Sequence, residues 1–144
     1  MQVDEKDYGE EPFVTNIEDA TEANTKFRVA KWTGKNMQLT LMSVEVGSEI
    51  GLELHRDIEQ FLRVESGRAR VEIGPEKDQL DFVQEVGDDE VILIPSNTWH
   101  NIINIGDKPL KVYSIYAGVD HPKGTVHATK AEADEAENEH NESA

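Results

Sequence analysis

The chain has 144 residues, five histidines, no cysteine and a formal net charge of −16 at neutral pH. That length suits one domain with a real core, and the lack of cysteine excludes disulfides and thiolate metal sites while leaving the redox compartment unreadable. Residues 1–22 hold eight acids against Lys6 alone, and residues 129–144 hold six against Lys130 alone, so most of the negative charge sits at the ends, read as solvated tails.

Arg63, Arg68 and Arg70, interrupted by Glu65 and Glu72, form no basic footprint, so nucleic acid is not expected as a partner. Met1–Glu11 is acidic and polar, unlike a secretory signal. No run approaches the roughly 20 apolar residues that span a bilayer. The expectation is a soluble, cytoplasmic protein with no membrane partner.

In chain order, Asn16–Glu22 is a short candidate helix. Lys26–Thr33 then alternates Lys26, Arg28 and Lys31 with Phe27, Val29 and Trp32, and Met37–Val46 continues with Leu39, Leu41 and Val44. Alternation of this kind marks strands with one buried face. Shorter strand signals follow at 60–65, 69–73, 80–85, 91–94, 99–105 and 110–117, with turn residues such as Gly47, Gly67, Gly74-Pro75 and Gly106 between them. Many short strands and no long helix indicate an all-β sandwich or closed barrel. Residues 129–139 are rich in alanine and glutamate but lack an apolar stripe, so helix and disorder are both open there. The expected organisation is an acidic N-terminal extension over 1–22, a barrel over 23–118, and a C-terminal extension with an acidic tail over 119–144.

Chemistry concentrates in two segments. Glu53 and His55 are two apart, so an extended strand points both to one face. Gln60, Leu62 and Val64 share a face of the next strand, with Glu59 and Arg63 opposite; His100, Ile102 and Asn104 share a face of a later one. Closing these strands into a barrel lets one carboxylate and two imidazoles converge on an interior point. Carboxylate and neutral imidazole are ligands for divalent iron, manganese, cobalt, nickel or zinc. There is one Glu-x-His pair with one partner histidine, enough for a single site.

These segments resemble the two motifs of small bacterial single-domain cupins, G-x5-H-x-H-x3,4-E-x6-G and G-x5-P-x-G-x2-H-x3-N. Pro95, His100 and Asn104 fall in place in the second. Asn97 takes a glycine position, which its tolerance of left-handed backbone permits, and Asp89 takes the first glycine. In the first motif Gly47 precedes Glu53, which stands for the first histidine; His55 is the second, and counting back from Gly67 puts Gln60 where an acidic ligand is usual. The resemblance implies a double-stranded β-helix, a jelly-roll-like barrel, and a divalent transition metal on Glu53, His55, Gln60 and His100. Glu59 replaces Gln60 only if a bulge re-aims the strand. A homodimer is implied as well, and open strand edges give a physical reason for pairing.

The resemblance admits three functions: a metal-dependent enzyme on a small organic molecule, of oxygenase or isomerase type; a non-catalytic cupin binding or sensing a sugar-like ligand; and a metal that only braces the fold. The neutral Gln60 favours the second somewhat. His121 and His127 belong either to a surface extension or to the cavity mouth as acid or base; His140 is read as solvated. Trp32, Phe61, Phe82, Trp99, Tyr113 and Tyr116 are candidates for core or interface, with Trp99 turned away from the site by strand alternation.

Overall fold

The computed structural model describes the backbone of residues 4–143 and the side chains of residues 4–137. After a short helix α1 (Ile17–Ala23), the chain runs through β1 (Arg28–Thr33), β2 (Gln38–Val44), β3 (Glu53–Leu54), β4 (Gln60–Ser66), β5 (Ala69–Gly74), β6 (Phe82–Val86), β7 (Val91–Ile94), β8 (Trp99–Asn104), β9 (Leu110–Tyr116) and β10 (Val126–His127), and ends in α2 (Lys130–Ser143). The strands form two antiparallel sheets, ordered β10-β1-β2-β9-β4-β7 and β3-β8-β5-β6. Their inner faces enclose the core.

Register explains why the interior is polar at one end and apolar at the other. Across the larger sheet Gln38, Tyr116 and Gln60 lie in one row, and Thr40, Ser114 and Leu62 in the next. Met42, Val112 and Val64 follow, then Val44 beside Leu110. All are buried. The facing sheet repeats the gradient, with His100 at one end of β8 and Ile102 deeper. The apolar rows join Ala69, Val71 and Val86 in one cluster that supplies the burial stabilising the barrel. The polar end, which would be costly without partners, is where a site can form.

The strand expectations hold to within a few residues, with β3 and β10 as additions too short to carry a periodic signal. Asn97 adopts left-handed backbone at φ 59°, and so does Asp89 at φ 70°, so both replace the motif glycines conformationally. Two expectations are corrected. Arg28 and Lys31 are not on a solvent face: both are buried. The N-terminal acidic segment is not a loose tail, because it lies along β1. Tyr8 N–H donates to Lys31 O, Trp32 Nε1 to Glu11 O, and Lys31 Nζ to Asp4 O.

The open question over 129–139 resolves as helix. Thr129 Oγ1 accepts from Glu132 N–H, while Glu132 Oε2 accepts from the N–H groups of Ala128 and Thr129, a reciprocal cap on the first turn. Ala133 is buried against the barrel. The His140 side chain lies outside the described residues. Phe82 is exposed, and Trp99 is half-buried with Lys77 Nζ 4.9 Å from its ring centre. Among the described residues no helix is long and apolar enough to cross a membrane.

Candidate metal centre

Glu53 and His100 are direct cross-strand partners of β3 and β8, so their side chains leave the sheet on the same face. The two-residue strand β3 is held there by the Asn101 side chain and by a backbone bond from Asn97. Asn101 Oδ1 accepts from Gly51 N–H at 3.0 Å, its Nδ2 donates to Glu49, and Asn97 N–H donates to His55 O at 2.9 Å. Asn104 is a turn staple rather than a site residue, donating to Val44 O and Lys108 O.

Glu53, His55 and His100 come together, one ligand atom of each lying within 4.8 Å of the others. Glu53 Oε2 is 3.2 Å from His55 Nε2 and 3.9 Å from His100 Nε2, and the two imidazole centres are 5.0 Å apart. Donors about 2.0–2.2 Å from a shared ion stand roughly 3–3.5 Å from one another when adjacent, so only small shifts would be needed. His55 Nε2 is buried, and the Glu53 carboxylate is the polar group it meets. A buried imidazole nitrogen facing a carboxylate and a second imidazole fits a divalent transition metal.

Gln60, not Glu59, is the buried member of its pair; Glu59 is exposed, and the irregularity in β4 falls later, between Val64 and Ser66. Gln60 Nε2 donates to Ser114 Oγ at 3.0 Å, and its Oε1 is buried without a partner among the described residues. Gln60 sits beside Tyr116 in register, and the Tyr116 ring meets that of His55 edge-on at 5.4 Å.

Three supports went unread in the sequence. Asp120 Oδ1 stands 3.0 Å from His55 Nδ1, the carboxylate–imidazole arrangement that fixes a ligand's tautomer and orientation. Arg28 Nη2 lies 3.5 Å from Glu53 Oε1, on the side of the carboxylate away from the histidines. Gln38, fully buried, accepts from the N–H groups of Asp120 and His121 and donates to His121 O and Thr33 Oγ1, so every polar capacity of its amide is used to hold that loop. The one available signal was the polar pair Asp120-His121 directly after the last long strand. Arg28 looked like any outward residue of an alternating strand.

Electrostatics follow from this packing. For Glu53, burial pushes the carboxyl upward, but His55 and Arg28 outweigh it and hold the pKa below its ordinary value. For His55, burial opposes protonation, yet Asp120 and Glu53 together lift the pKa to about 9. His100 is lowered by burial, and its Nδ1 faces Thr98 O, leaving Nε2 toward Glu53. His121 is pushed down to about 4 by burial and by Arg28.

His121 and His127 both line the cavity above the cluster, so they belong to its wall. The cavity encloses about 520 Å³ and is bounded also by Arg28, Asp120, Ala133 and Glu137. Helix α2 therefore forms one side of the mouth.

A two-sheet antiparallel β-helix with two imidazoles and a carboxylate gathered inside one end defines a cupin-type barrel. The chain belongs to the cupin domain family, whose pattern matches residues 40–116. It is 57% identical over 132 residues to the uncharacterized protein YrkC of Bacillus subtilis (strain 168), covering 92% of this chain and 71% of YrkC. It is 36% identical over 115 residues to the uncharacterized protein L612 of Acanthamoeba polyphaga mimivirus, covering 79% and 70%. The crystal structure of BH2720 from Bacillus halodurans superposes with a TM-score of 0.89 at 57% identity, covering 90% of this chain and 98% of that one. A Klebsiella pneumoniae protein with a double-stranded β-helix domain shares the fold at a TM-score of 0.62 and 16% identity, covering 83% and 100%.

Proposed function

We propose that this cupin is a divalent-metal-dependent enzyme acting on a small organic molecule, of oxygenase or isomerase type. Glu53, His55 and His100 are the ligands, and the buried carbonyl oxygen of Gln60 completes the set. The observation that carries the reading is His55: Asp120 holds one ring nitrogen, which turns the other, buried, toward Glu53 and His100. A residue serving only as packing has no need of that arrangement. When bound there, a divalent ion supplies Lewis-acid polarisation of a carbonyl or enolate oxygen, and iron adds redox access to dioxygen. The cavity orients the substrate, and burial keeps His121 and His127 of its wall neutral, able to hydrogen-bond it.

The test is metal analysis of protein purified without chelator or histidine tag, beside His55→Ala and His100→Ala. Metal at near one equivalent in the wild type and its loss from both variants supports the reading. Equal, negligible metal in all three after supplementation with iron, manganese, nickel and zinc overturns it. Oxygen uptake with diketones and phenols, and sugar-phosphate isomerisation, then separate the two reaction types.

The second reading, a non-catalytic cupin holding a sugar-like ligand, draws on the neutral Gln60, which binds a metal more weakly than a carboxylate does. Thermal stabilisation by sugars without turnover in any of those assays would favour it. For the partner subunit we propose a second copy of the chain. The outer face of the larger sheet carries a groove of about 550 Å³ whose lining includes Met37, Phe61, Leu93 and Ile115, and Leu93 on the edge strand β7 is 69% exposed. Sedimentation equilibrium of the wild type and Leu93→Arg tests it, with dimer expected in the first and monomer in the second.

A further inference from the structure

Metal ligation leaves one buried charge in the cavity wall unexplained. Arg28 is 4% exposed, and three groups among the described residues lie against its guanidinium. Nη2 is 3.5 Å from Glu53 Oε1, Nη1 is 3.4 Å from His127 Nδ1, and Cζ is 5.2 Å from the centre of the Phe27 ring. Both polar distances exceed the roughly 2.7–2.9 Å of a well-made charge-assisted bond. Nε has no acceptor among the described residues. A guanidinium carries five N–H donors that cannot be deprotonated away, so a buried one normally meets several acceptors. This one is short of them, and it borders the cavity that Glu53 and His55 line.

Charge points the same way. Glu53, beside Arg28, and Asp120, beside His55, are the two carboxylates in the inner part of the wall. A divalent ion and Arg28 against those two carboxylates leave one positive charge in excess inside a largely buried site. The further acid of the wall, Glu137, lies on the exposed rim, where water screens it.

We propose that the ligand or substrate of this site is a small monocarboxylate, its carboxylate paired with the Arg28 fork and the atoms beside it turned toward Glu53, His55 and His100. The planar fork matches two carboxylate oxygens at once, and a single negative charge cancels the excess where a phosphate dianion would exceed it. This inference rests on the metal reading above.

The experiment loads wild type, Arg28→Lys and Arg28→Gln with zinc, which is redox-inert, and measures zinc affinity by chelator competition. Each protein is then titrated by NMR with acetate, butanoate and hexanoate, with the corresponding primary amides, and with methyl phosphate. Expected is at least tenfold tighter binding of acid than amide by the wild type. Arg28→Gln should lose that preference about tenfold or more while keeping zinc, with Arg28→Lys between them. No zinc uptake by the wild type overturns the metal reading. Zinc uptake with acid and amide bound equally overturns the carboxylate proposal alone, as does an acid preference that survives in Arg28→Gln. Methyl phosphate binding more tightly than every carboxylate replaces the ligand class. If Arg28→Gln fails to fold, the wild-type comparison of acid with amide still decides.

Discussion

Asp120 and His55 meet at 3.0 Å, Oδ1 against Nδ1, although they are contributed by opposite ends of the barrel sequence. The contact decides which imidazole nitrogen faces Glu53 and His100. It follows that the ligand set is only as well ordered as a loop lying outside the strands that carry it.

Replacing Asp120 with asparagine keeps the shape of the side chain and removes its charge. Metal affinity should fall about 10–100-fold, the usual consequence of losing the carboxylate behind a ligating histidine. Chelator competition measures this, and an unchanged dissociation constant would remove Asp120 from the site's machinery.

The metal-free protein should be most stable near pH 6.5. His55 has its pKa raised to about 9 in the fold, so its contribution is fully present below the unfolded value of about 6.5 and is lost as pH rises through 9. His121 is shifted the other way, to about 4; it must stay neutral, so its contribution is present above about 6.5 and is lost as pH falls through 4. Urea midpoints of chelated protein across pH 4–9 should trace a maximum. Loading the metal, which requires a deprotonated His55, should flatten the alkaline side.

Gln60→Glu should have opposed effects on the two forms. A new carboxylate at a 6% exposed position lowers the melting temperature of the metal-free protein, since burial opposes its charge. If Gln60 Oε1 is the fourth donor, the same change tightens metal binding about tenfold. A variant whose metal affinity does not rise places Gln60 outside the ligand set.

Gln38→Met conserves size and removes all four hydrogen bonds of the clamp. The stranded N–H groups of Asp120 and His121 should cost about 2–4 kcal/mol in urea unfolding. Metal affinity should fall too, because Asp120 is no longer fixed behind His55. Loss of stability with metal binding intact would show the clamp to be structural only.

The fold was largely legible because its signals are local. Alternation and turn residues mark each strand from β4 to β9, and the Glu-x-His spacing needs only an extended backbone to put Glu53 and His55 on one face. What failed was everything that depends on chain segments far apart. Arg28 alternates with Phe27 and Val29 as an outward residue would, and only the N-terminal segment lying over β1 shows that both faces of this strand are covered. Asp120 lies in a loop and His127 in the two-residue β10, neither of which carries periodicity, and Gln38, at the start of β2, acts on the site only through the Asp120 loop. That Gln60 and not Glu59 points inward was readable from the spacing to Gly67, because β4 is regular between Gln60 and Val64.

One chain of contacts has a practical reach. Asp7 accepts from Thr33 Oγ1 and Gly124 N–H; Thr33 accepts from Gln38; Gln38 holds the Asp120 loop; Asp120 stands behind His55. The cupin-matching stretch 40–116 contains Glu53, His55, Gln60 and His100 but none of Arg28, Gln38, Asp120 or His121. A fragment cut to that stretch would own the ligands and lack their scaffolding. The smallest unit able to present this site begins within the acidic leader, and transplanting or minimising it means carrying both flanks along.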